Sequence, residues 1–215
     1  MKYVDTEKST RIYDSRNRQV HARKNRDAIL DAARERFLAD GYVSTTIASI
    51  AAAAGLAVDT VYKAFGGKPG LVRAIYDRSL AGEGSVAAAE RSDDLRDSAH
   101  DGRALVRAWG VLTSEVAPLV APIHLLVRDA AIVDPEMATL LRQNDALRRQ
   151  RMHDNARALA DRDFLRKGIS LEHATDVLWA FSSPELYELL VVRCGWDPVR
   201  FGQFIGDSIS SALVD

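Results

Sequence analysis

At 215 residues, with 47% hydrophobic side chains, the chain can bury a sizeable core as one large domain or two small ones. Its formal net charge of −1 excludes a surface coated in positive charge, so any nucleic-acid contact must come from local clustering of Lys and Arg. The single cysteine, Cys194, excludes an intrachain disulfide and a cysteine-based zinc site and fits a reducing cytoplasm. No signal peptide is visible, and the apolar runs read as too short and too interrupted by charge to span a bilayer.

Residues 1–26 set Lys2, Lys8, Arg11, Arg16, Arg18, Arg23, Lys24 and Arg26 against Asp5, Glu7 and Asp14, with no apolar periodicity. The pattern predicts a flexible basic arm over residues 1–24. It is either an ordinary solvated terminus or a source of phosphate contacts for whatever follows. A packing helix runs from about Asn25 to Asp40, with Leu30, Ala33 and Phe37 at helical spacing beside Ile29, and Gly41 is placed to end it.

The stretch from Thr46 to Lys68, TIASIAAAAGLAVDTVYKAFGGK, organises the rest. On a helix, Ile47, Ile50, Ala51 and Ala54 share an apolar face while Ala48, Ser49 and Ala52 point away. Gly55 breaks the run where a positive φ is needed, and Leu56 packs under the turn. A second short helix has Val61, Ala64 and Phe65 on its buried side and Asp59, Thr60, Tyr62 and Lys63 on its exposed side. Smallness on the first helix and hydrogen-bonding groups on the second suit a groove. Gly66, Gly67, Lys68 and Pro69 then lead into a fourth helix with Leu71 and Ile75 inward. This sets Lys68 at a helix amino terminus, where free N–H groups and an ammonium make a phosphate clamp.

Gly82 and Gly84 interrupt the helical pattern, so the domain boundary is expected near residue 82, giving domains at 25–82 and 83–215. The charged stretch from Glu90 to Arg103 reads as a solvated helix end and loop. Leu105, Trp109, Leu112 and Val116 step as one helix face and Leu119, Ile123, Leu126 and Ala130 as another, with junctions expected at Pro118 and Pro135. A long helix from about Pro135 to Asp161 mixes Met137, Leu140, Leu141 and Leu159 with Asn144, Arg148, Arg151 and Asn155 on its inward face. Buried amides and guanidinium groups need partners, so this face either lines a wet pocket or is less buried than it reads. Ser170 to Phe181 forms the next helix, and Ser182 with Glu185 stands at capping-box spacing for another. Asp197 and Pro198 start a final helix bearing Phe201, Ile205, Ile209 and Leu213. Cys194 is expected as a buried small hydrophobe.

Thr46, Ile50-Ala51, Ala54-Gly55-Leu56, Thr60-Val61-Tyr62, Phe65 and Lys68 resemble the amino-terminal signature of the TetR family of bacterial transcriptional regulators. The likeness extends back through Ala28-Ile29-Leu30, Ala32-Ala33, Phe37, Gly41-Tyr42 and Thr45, and covers roughly residues 25–80. A weaker likeness continues at Leu178-Trp179, Ser183-Pro184-Glu185 and Gly195-Trp196. The resemblance implies an all-α protein, a three-helix DNA-binding domain with a helix-turn-helix and a larger helical domain for ligand binding and dimerisation.

By that resemblance, Thr46, Thr60, Tyr62 and Lys68 sit where phosphates are contacted, and Ala48, Val58, Asp59 and Lys63 where base edges are read. Arg23, Lys24 and Arg26 would add contacts from the arm. Ala57 departs from the serine common before the second helix, so the usual cap is missing. The partners implied are a double-stranded palindromic operator, a second copy held through the two carboxy-terminal helices, and a small-molecule effector, with no membrane role. The polar or aromatic candidates for the effector site are Trp109, His124, Arg128, Asn144, Arg151, Trp179 and Tyr187. No phosphate loop, paired histidines or nucleophile elbow marks a catalytic or metal site, and no cofactor is implied. The competing reading is a helical small-molecule-binding protein of the same fold with weak or lost DNA binding.

Overall fold

The computed structural model describes residues 6–82 and 86–215, with side chains from residue 19 onward. Lys2 of the expected arm, and the side chains of Lys8, Arg11, Arg16 and Arg18, lie outside the described residues. Two compact units divide between Ala74 and Ile75, inside a helix, whereas the glycine pattern put the boundary near residue 82.

The first unit begins with α1, Thr6–Ser44, kinked at Gly41 (φ 78°, ψ 167°). It takes in most of the stretch expected as the arm, which is helical from Thr6. Arg, Gln and Ala are good helix formers, so a polar stretch prolongs a helix whose buried end has met the cost of nucleation. That end contributes Ile29, Leu30, Ala33 and Phe37 to a core completed by Tyr42, by Ile47, Ile50 and Ala51 of α2 (Ile47–Ala53), by Val61 of α3 (Val58–Phe65), and by Leu71 and Val72 of α4 (Lys68–Ala81). Phe37 and Tyr42 stack with centroids 5.9 Å apart.

The second unit contains the end of α4, then α5 (Ala88–Ser98), α6 (Gly102–Ala130), α7 (Pro135–Asp161), α8 (Leu171–Phe181), the single turn α9 (Pro184–Tyr187) continued by a π-helical segment Glu188–Arg193, and α10 (Pro198–Leu213). No strand occurs among the described residues, only an isolated antiparallel bridge between Leu165 and Val214. The core joins Leu105, Val106 and Trp109 of α6, Leu159 of α7, Leu178 of α8 and Phe201, Ile205, Ile209 and Leu213 of α10. Where α6 and α10 meet, the backbones are in contact: a Cβ at Gly110 would stand 2.5 Å from the Gly202 carbonyl oxygen.

Several expectations change here. Of the stretch from Glu90 to Arg103, expected as a helix end and loop, residues 90–98 lie in α5 and Gly102 and Arg103 begin α6. Pro118 is no junction, since α6 passes through both Pro118 and Pro122. A proline removes one N–H and crowds one carbonyl, which a well-packed helix absorbs by bending. Pro135 does mark a start, at the first turn of α7 behind the Asp134 cap. Ser183, not Ser182, caps α9, accepting from the Leu186 N–H. Cys194 is exposed, because the π-helical segment carries it past the core. One window of α6, with a mean hydropathy of 1.6, is apolar enough to cross a membrane, contrary to the sequence reading. Only 28% of that window is buried, although α6 also supplies Leu105, Val106 and Trp109 to this core.

Candidate functional site

Two features stand out, a helical head in the first unit and a cavity in the second. The head is built locally. Thr46 caps α2 by accepting from the Ser49 N–H at 3.0 Å, while the Ser49 Oγ takes the Thr46 N–H. At the other end Gly55 (φ 65°) donates to the Ala52 carbonyl at 3.1 Å, and Leu56 to that of Ala51 at 2.9 Å. This Schellman arrangement needs a residue tolerant of positive φ, which is what glycine supplies. Beyond it α3 leaves at 109° to α2, within the range of helix-turn-helix motifs.

The α3 helix starts on Ala57 with no side-chain cap, and Asp59 in the first turn is the charge available to offset the dipole there. It buries Val61, half-buries Thr60 and Phe65, and leaves Val58, Asp59, Tyr62, Lys63 and Ala64 in solvent. Thr60 and Ala64 thus exchange the sides expected of them, and the exposed side is less polar than the periodicity suggested. On α2, Thr46 and Ala48 are exposed as well.

Arg23 and Lys24 are exposed on α1, but Arg26 is folded back: its guanidinium lies 4.5 Å over the Phe65 ring and donates to the Ala64 carbonyl at 3.4 Å. Lys68 is also engaged. Its ammonium donates to the Tyr42 carbonyl at 2.8 Å and lies 4.3 Å from the Tyr42 ring, so it clips the end of α1 to the start of α4. The expected phosphate clamp has a local partner.

The second feature is a cavity of about 420 Å³, the size of small-molecule sites, walled by residues from α4 to α10. Trp109, His124, Asn144, Arg151 and Tyr187 all line it, as do Tyr76, Ser92, Arg148 and Asn155. Arg128 and Trp179 do not. Arg128 pairs with Glu188 at 3.1 Å and Asp129 at 3.0 Å, and Trp179 is stacked by Arg148 and Arg149. Helical spacing put Arg128 one turn below His124; it could not show that Glu188 would claim it.

His124, 2% exposed, stands between two helices: Nδ1 is 3.5 Å from the Tyr76 hydroxyl and Nε2 is 3.4 Å from Asp145 Oδ1. Burial lowers its pKa and, although Asp145 pulls the other way, desolvation is the larger effect, so the imidazole is neutral. Burial also pushes the Tyr76 pKa up to about 12. The arrangement satisfying all three groups has Tyr76 O–H donating to Nδ1 and Nε2–H donating to Asp145. Arg148 and Asn155 belonged to the mixed face of α7 that the sequence already marked as unusual, at the helical repeat of Asn144 and Arg151. Tyr76 and Ser92 had no such signal, because each reaches the wall from a different helix.

Residues 29–75 match the profile described as bacterial regulatory proteins, tetR family. No curated protein matches the chain. Among solved structures it is similar to SmeT, the repressor of the Stenotrophomonas maltophilia multidrug efflux pump SmeDEF. The SmeT–triclosan complex aligns at 23% identity over 89% of this chain and 92% of that one, with a TM-score of 0.70. NalD, the secondary repressor of the Pseudomonas aeruginosa multidrug efflux pump MexAB-OprM, aligns at 21% identity over 90% and 98%, with a TM-score of 0.70. A transcriptional regulator from Saccharomonospora viridis, solved with choline, aligns at 19% over 88% and 97%, with a TM-score of 0.65. At these identities the likeness is one of fold. Residues 29–75 thus carry an amino-terminal domain of the tetR family of bacterial regulatory proteins, and the fold over most of the chain is the one these solved regulators share.

Proposed function

We propose that the protein is a ligand-responsive repressor that binds a palindromic operator as a homodimer in the cytoplasm. The observation that carries the DNA-binding part is the head, in which a capped α2 and a Schellman turn present the solvated side of α3. Thr46, Tyr62, Arg23 and Lys24 are free to meet phosphates, with Thr60 half-buried beside them. Ala48, Val58, Asp59 and Lys63 would meet base edges. Lys63 can donate to guanine O6 and N7, and Ala48 and Val58 can touch a thymine methyl. So thin a set of readers implies that DNA shape contributes to specificity.

The effector would occupy the cavity. Two structures of similar fold were solved with a small molecule, triclosan in one and choline in the other, which supports a small-molecule effector for this chain too. The α4 helix begins in the first unit and ends in the second, where Tyr76 lines the cavity, so it is the covalent route from effector to head. A differential affinity of a few kcal/mol between two conformations suffices to empty an operator.

The test is footprinting of the purified protein on DNA upstream of its own coding region, at two salt concentrations. The expected result is a protected pseudo-palindromic site whose affinity falls with a log-log slope of about −0.9 per phosphate neutralised. If selection from random DNA also finds no site, or binding is indifferent to salt, the protein is instead a binding protein of this fold without DNA function.

A further inference from the structure

The wall of the cavity has donors to spare. No Asp or Glu lies among its lining residues, whereas Arg148 and Arg151 both reach it. Trp109 and Asn144, 6% and 5% exposed, hold Nε1–H and Nδ2–H groups that are sealed from solvent and have no acceptor, and the Nε–H of Arg148 is in the same position. Each such donor has lost water without gaining a partner, so an acceptor arriving from the cavity would recover the interaction. Several other polar groups are engaged. Both nitrogens of His124 face Tyr76 and Asp145, Asn155 Oδ1 accepts from Arg96, and Arg151 is paired with Asp93. Most of the remaining wall is aliphatic and aromatic, and apolar side chains extend to its solvent edge, where Leu147 is 68% exposed and Leu80, in the last turn of α4, 41%.

We propose that the cavity selects a mainly apolar molecule whose polar end is a hydrogen-bond acceptor, a carboxylate or carbonyl, received by Trp109, Asn144 and Arg148, and that it rejects cations. The inference rests on the effector reading of this cavity and names its chemical class. A cation would find no carboxylate on the wall and would leave the orphan donors unmet, and the carboxylates nearest the cavity, Asp145 and Asp93, are already paired with Arg148 and Arg151. An acceptor head meets the donors, and the chain behind it fills the apolar walls.

The test is calorimetric titration of the full-length protein with three probes sharing one alkyl chain: decanoate, decan-2-one and decyltrimethylammonium, each kept below its aggregation limit. At least one acceptor probe should bind with one-to-one stoichiometry, and the ammonium should bind at least about tenfold more weakly. Trp109→Phe and Asn144→Leu, which keep most of the volume, should each weaken the acceptor probe by about two- to tenfold. Equal or tighter binding of the ammonium overturns the proposal, as does failure of both acceptor probes, or full retention of acceptor binding in both variants. Operator binding by the ligand-free protein is measured in parallel. A protein that binds DNA but no acceptor probe loses only this proposal. One that binds the acceptor but no DNA loses only the regulator reading.

Discussion

At the residue scale, partners decide what each side chain is free to do. Lys68 and Arg26 read as phosphate contacts from spacing alone, yet each stacks on a ring and donates to a carbonyl within its own unit. His124 carries a measurable consequence. Its folded pKa is depressed below the ordinary 6.5, so the unfolded chain takes up a proton that the folded one resists. The stabilisation is therefore complete above about pH 6.5 and is lost as the pH falls from there toward the folded pKa. Thermal melts between about pH 7.5 and 5.5 should show the wild type losing more stability than His124→Asn, which keeps a polar group but cannot titrate. Parallel pH dependence in the two proteins would place the sensitive group elsewhere.

At the element scale, α6 and α10 come closer than side chains allow. Gly110 faces the Gly202 carbonyl across the contact, and both glycines are buried in the centre of the second unit's core. Gly110→Ala has no open space to fill and must push α10 away, so urea unfolding should show a loss of about 1–3 kcal/mol. An unchanged midpoint would mean that the two helices slide without cost. The stripe Phe201, Ile205, Ile209 and Leu213 faces this same contact. Its regular spacing was visible in the sequence, and the stripe is buried within one chain, with Ile209 5% exposed. An Asp at 209 would unfold the subunit rather than separate a dimer.

At the scale of the whole molecule, the proposed homodimer would use surface that this core leaves partly uncovered. Packed against the edge of that core is a half-buried aromatic group in which Phe181 and Trp196 meet Phe204 edge-on, with centroids 6.4 and 5.5 Å apart. Next to it α10 presents small residues, Ser208, Ser211 and Ala212, which permit close helix packing. If this surface is the interface, Phe204→Glu should shift sedimentation from dimer to monomer, with a loss of about 2 kcal/mol or more at a central aromatic. Circular dichroism would verify that the subunit stays folded. A dimer that survives would assign the interface to another face.

The head was legible because its determinants are local. The Thr46 cap, the Gly55 turn, the uncapped Ala57 start and the Ile47, Ile50 and Val61 packing each depend on residues a few positions apart, and spacing alone carries that information. The all-α class followed from the same periodicities. The cavity was half legible: the mixed face of α7 announced Asn144 and Arg151, whereas Arg128 and Trp179 do not line it. What only the tertiary structure decided was pairing between distant segments. Glu188 takes Arg128, Tyr76 meets His124, and Gly110 admits Gly202. Such contacts depend on how helices cross, and the period of a helix records which face is apolar without recording what that face will meet.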